Sequence, residues 1–145
     1  MTARDRLRWA APALLAAAMP LASRLVVWRA STGLALTAAL PSLVVQAVWA
    51  AMPFAALAVL AVATRRTWAE VRLAMGAGLV LTAALWGWAS REGVLVVTGQ
   101  QAEGLSTVLQ IVRAGAPVAV LSVMVTAAAV RAAFGGRPAR PSGRP

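Results

Sequence analysis

The sequence predicts an all-α integral membrane protein, a bundle of four transmembrane helices joined by short loops. Of its 145 residues, 61% are hydrophobic and 12% are charged, whereas a soluble domain carries about 25% charged residues. The apolar residues gather into four runs, each close to the ~20 residues that cross a bilayer core. The segment 64–72, TRRTWAEVR, is a compact polar stretch between two runs that carry no charge, 43–63 and 73–89. It therefore reads as the tight turn of a transmembrane hairpin.

The first span is expected over 9–28, after a basic start holding Arg4, Arg6 and Arg8, and bounded by Trp9 and Trp28 at the two interfaces. Pro12, Pro20 and Arg24 interrupt it. The same stretch also has the layout of a signal peptide, with an Ala16-x-Ala18 cleavage site. Proline at position 20 hinders cleavage there, so a retained helix is favoured. The connector 29–42 is apolar for a loop; it either lies along the interface or extends the second helix.

The second span is expected over 42–63, with Pro41 in its first turn, where a missing N–H costs nothing. Pro53 inside it frees a backbone carbonyl and kinks the helix. The third is expected over 67–89, opening on the capping-box pair Thr67 and Glu70 and ending on Trp86 and Trp88. Its Ala74-x-x-x-Gly78 spacing is a small-residue pattern that lets helices approach closely. The region 90–113 is then the longest non-spanning stretch. Val94–Val97 (VLVV) lies within it and reads as a short extended piece, and 101–113 as a short helix or an early start of the fourth span. That span is expected over 115–134. The chain is thus one membrane domain, 1–134, followed by a Pro-, Gly- and Arg-rich tail, 135–145, expected to be disordered. No repeat relates the two halves.

The net charge of +10 comes from fourteen basic residues, all arginine, against four acids. Scattered between apolar spans, they point to topology rather than nucleic acid. Ten of the fourteen flank the chain ends or the 64–72 turn, so the positive-inside rule orients both termini and that turn to the cytoplasm. Arginine without lysine, in an alanine-rich chain, reads as GC-rich coding, and the expected location is a bacterial inner membrane.

Cysteine, histidine, tyrosine and lysine are all absent. Thiol chemistry, the commonest metal ligand, the usual general base at neutral pH and Schiff-base catalysis go with them. No catalytic motif appears, and no catalytic residue, metal site or cofactor is expected. Asp5 lies in the N-terminal segment, Glu70 serves as a cap, and Glu92 and Glu103 fall in the outer loop, so no span holds the buried acid that proton-driven transport uses.

Polar groups within spans are the default functional candidates. Ser42, Gln46, Trp49 and Pro53 recur at helical spacing on one face of the second span. Gln46 is equally explained as an interhelical hydrogen-bonding residue and Trp49 as packing. Arg24 and Arg113 lie towards the outer ends of their spans, where they snorkel to headgroups, or Arg113 pairs with Glu103 or Glu92 of the outer loop, or both arginines hold an anionic headgroup or small anion. With Gln46, Gln100, Gln110 and Glu103 they would form an outer-leaflet pocket if the outer loop folds back. Two functions compete. The first is a non-enzymatic accessory or assembly subunit of a larger membrane complex, with the bilayer and other membrane subunits or a second copy as partners. The rival is an autonomous binder or transporter of a lipid, quinone or small anion.

Overall fold

The computed structural model describes residues 3–31, 40–64, 66, 68–100 and 105–134. The connector 32–39, Thr67 of the capping box, Glu103 and the tail 135–145 lie outside them. Four helices make up the described chain: α1 (Ala3–Ala30), α2 (Leu40–Ala63), α3 (Trp68–Val97) and α4 (Leu105–Phe134). Each is long and apolar enough to cross a membrane. At ~1.5 Å per residue they run about 36–45 Å, beyond the ~30 Å of a hydrocarbon core.

Around the bundle, α1 lies beside α2 and α3, and α4 beside α3 and α2. The pair α2 and α3, joined by the shortest connection, meet only marginally across the diagonal. The 64–72 segment is therefore not the turn of a packed hairpin. Its polar residues terminate α2, where the Arg66 N–H reaches back to the Ala61 carbonyl at 2.9 Å and closes the last turn. The chain then crosses the bundle to start α3.

The centre is filled by Ala16 of α1, Phe54, Leu57 and Ala61 of α2, Val71, Ala74 and Met75 of α3, and Val120 and Met124 of α4. Ala74 and Gly78 are both buried. A Cβ on Gly78 would come within 2.5 Å of Met124 Sδ and 3.3 Å of a Phe54 ring carbon. The small-residue spacing is thus used inside this chain, between its own helices. Trp9 meets Trp68 edge-on at 4.8 Å, fastening the start of α1 to the start of α3. Removal of the residues before position 19 would strip both Trp9 and Ala16 from this packing.

Two helices run further than the spans expected of them. α3 continues through Val94–Val97, which is helical rather than extended, and stops at Gly99, whose φ of 71° is the left-handed conformation that glycine adopts without strain. The Gly99 N–H bonds the Val96 carbonyl at 3.1 Å and the Gln100 N–H bonds the Leu95 carbonyl at 2.9 Å, a Schellman cap. The turn just before these residues packs on α1: without a Cβ, Gly93 lets Val27 approach to 2.7 Å of where that atom would stand. As a result Glu92, placed by sequence in an exposed loop, lies within the candidate span Val71–Val97 and is 4% exposed. α4 starts at Leu105, ahead of the span expected over 115–134 and in keeping with the early start that 101–113 allowed, with Leu109 buried and Pro117 inside the helix.

Outside, the surface is apolar. Val45, Val48, Val59, Val80, Ile111 and Val118 are each more than 60% exposed. A water-soluble monomer rarely shows so continuous an apolar face.

Candidate functional site

A vestibule of about 310 Å³ opens between the helices at the end away from the 64–66 turn. All four helices build it. α1 supplies Pro20, Ser23, Arg24 and Val27; α2 supplies Ser42, Leu43 and Gln46; α3 supplies Trp86, Gly93, Val96 and Val97; α4 supplies Leu109, Gln110 and Arg113. Helical spacing explains the set: Ser42 and Gln46 are four apart, as are Gly93 and Val97, so each pair shares a face. Arg113 lies eight residues into α4, about 12 Å below the helix start. The floor is therefore sunk well below the helix ends.

Two guanidinium groups with no acid among the described lining residues define its electrostatics. The Nε atoms of Arg24 and Arg113 are buried and have no hydrogen-bond partner. An orphaned buried donor costs ~1–3 kcal/mol. The Arg113 guanidinium stands 5.8 Å from the centre of the Trp86 ring, a cation–π contact that orients it. Behind the wall, Ser90 Oγ pairs with Ser23 Oγ at 2.8 Å and with the Trp86 carbonyl at 2.8 Å, locking α1 to α3 beside Trp86. Gln46, Gln110 and Ser42 add amide and hydroxyl groups to the rim.

Arg24, Ser42, Gln46, Gln110 and Arg113 are thus brought to one cavity, while Glu103 and the Gln101 end of the outer loop lie outside the described residues. Trp49 is not in the vestibule. It lines a smaller void beneath, and its Nε1–H donates to the Ala114 carbonyl across the α2–α4 seam at 3.3 Å. Ser23, Trp86 and Gly93 are vestibule residues that sequence reasoning missed. Trp86, Gly93 and Val97, at spacings of seven and four, form a helical stripe that becomes readable once α3 is continued past Ala89. Glu92 was missed for the same reason: its Oε2 is buried without a partner one residue from the vestibule wall.

Among the described residues no group of three metal-ligating side chains gathers. No protein-family model matches the chain, and comparison with curated proteins and with solved structures finds no match either.

Proposed function

We propose that this chain is a multi-pass protein of a bacterial cytoplasmic membrane that binds an oxyanion, a phosphate group or one of similar shape, in the four-helix vestibule. One observation carries the reading: Arg24 and Arg113 line a common cavity that has no acid among its described lining residues, and no protein group accepts from their buried Nε atoms. Two planar cationic forks with amide and hydroxyl donors around them match the geometry of a tetrahedral anion. A volume of about 310 Å³ is at the small end of ligand sites, which favours a headgroup-sized ligand. With both termini and the 64–66 turn on the cytoplasmic side, the vestibule opens outward.

The accessory-subunit reading keeps the apolar flank of α2 as a place for another helix. It loses the Ala74–Gly78 face, which α2 and α4 of the same chain already cover. The sequence, without cysteine, histidine, tyrosine or lysine, gives no support to an enzymatic reading.

The phosphate has two sources, free anion or lipid headgroup, and one experiment separates them. Protein extracted in nanodiscs is analysed by native mass spectrometry, then stripped of lipid and titrated with inorganic phosphate by calorimetry. A retained acidic phospholipid supports the headgroup, and saturable phosphate binding after stripping supports the free anion. A stoichiometric protein partner with neither ligand would replace this reading by the subunit one.

A further inference from the structure

Beneath the vestibule, two more cavities continue along the α2–α4 seam. Resting on the anion-binding reading, we infer a second activity: the bundle conducts a small oxyanion such as free phosphate between its two ends, past a plug one helical turn thick.

The cavities stand in file. Arg113 and Trp86 line both the vestibule and a void of about 20 Å³ below it. Such a void is just large enough for one water. Arg113 and Trp86 are therefore the wall that the two share. Pro53 of α2 and Pro117 of α4 line that same void, together with Trp49 and Arg113. A proline deprives the carbonyl four residues earlier of its helical donor. Here those carbonyls belong to Trp49 and Arg113, residues that line the void, so each helix loses one backbone hydrogen bond at that height while remaining continuous. Helices bend at such points.

Below the void comes the plug. Phe54 and Met124 are fully buried, with Leu57 and Val120 beside them. Pro53 lines the void and Leu57 lines the next cavity, four residues on, so the barrier is ~6 Å thick. The third cavity, about 200 Å³, reaches Thr64 and Arg66 at the other end. The plug rests on Gly78, where a Cβ would strike Met124 Sδ. Methionine is the flexible member of the pair, and its swing away from Gly78 joins the void to the lower cavity. The file thus offers a cation at each end, a water-sized space beneath the upper one, and a single apolar layer whose side chains have somewhere to move.

The test uses the full chain reconstituted in phosphatidylcholine vesicles, with a potassium ionophore to dissipate charge. Uptake of radiolabelled inorganic phosphate is read beside phosphate binding to the same preparation. The expected result is protein-dependent uptake that falls severalfold in Gly78→Ala, which crowds the plug, and rises severalfold in Phe54→Leu, which thins it, with binding unchanged in both. Should one variant fail to fold, the other carries the comparison. Binding without uptake, or uptake indifferent to both plug variants, overturns the conduit and leaves the binding site standing. Absence of phosphate binding overturns the site itself and the conduit with it.

Discussion

The two ends of the bundle use the same side chain in opposite ways. At the end holding the chain termini, Arg8, Arg66, Arg72 and Arg131 are exposed. At the other end Arg29 and Arg91 are exposed too, but Arg24 and Arg113 are half-buried and turn inward to a shared cavity. The cavity near the turn is walled mainly by Leu57, Leu60, Ala61, Val71 and small residues, whereas the vestibule has serines, glutamines and two cations. An outward arginine anchors a helix end against headgroups and sets orientation. An inward one carries a desolvation cost that a ligand can offset. Counting arginines by side reveals the first role, and only side-chain direction reveals the second.

The sharpest way to break this contrast is to neutralise each class in turn. Arg24→Gln with Arg113→Gln should abolish phosphate binding measured by calorimetry. A hydrogen bond to a charged group is worth ~1.5–3 kcal/mol, so each single variant should weaken binding by about ten- to a hundredfold. Arg72→Gln and Arg131→Gln, at the end away from the vestibule, should leave affinity unchanged. Equal effects from both classes would mean that bulk positive charge, not a built site, attracts the anion.

A smaller effect is expected at Glu92. Its Oε2 is buried and unpartnered, and Gly93 beside it lines the vestibule. Glu92→Gln should raise phosphate affinity severalfold by removing a neighbouring carboxylate. Melting in detergent should hold or rise, since leaving a buried polar group unsatisfied costs ~1–3 kcal/mol. A fall in both affinity and melting temperature would instead identify Glu92 as the partner that positions the arginines. Smallest of all is Trp49→Phe, which deletes one exposed hydrogen bond across the α2–α4 seam. It should cost ~0.5–1 kcal/mol of stability and leave binding intact.

Much of the fold is legible in the sequence because bilayer physics simplifies the code. Four apolar runs, each near the required length, specify four helices, and the prolines at 12, 20, 53 and 117 do not stop them. The outer ends are harder to read, because there local propensity and packing disagree. Val94–Val97 looks extended by residue type, yet a helix capped at Gly99 buries Glu92 and closes the vestibule wall. The helix order around the bundle is also hidden: a short connection usually implies neighbours, but α2 and α3 lie across the diagonal. Of the site, Arg24, Ser42, Gln46, Gln110 and Arg113 stand out as polar groups within apolar runs. Trp86 and Ser23 do not, because an aromatic near a helix end and a serine in an alanine-rich stretch are ordinary until their neighbours are known.

The seat of Met124 on Gly78 has a chemical consequence as well. A thioether packed against a bare backbone in the core cannot take up oxygen without displacing its surroundings, and its sulfoxide is polar. Oxidative damage at this one atom would put a dipole in the driest layer of the bundle. Met124 is fully buried in the cluster that also holds Phe54 and Val120, so the packing that closes the middle of the protein also protects that sulfur.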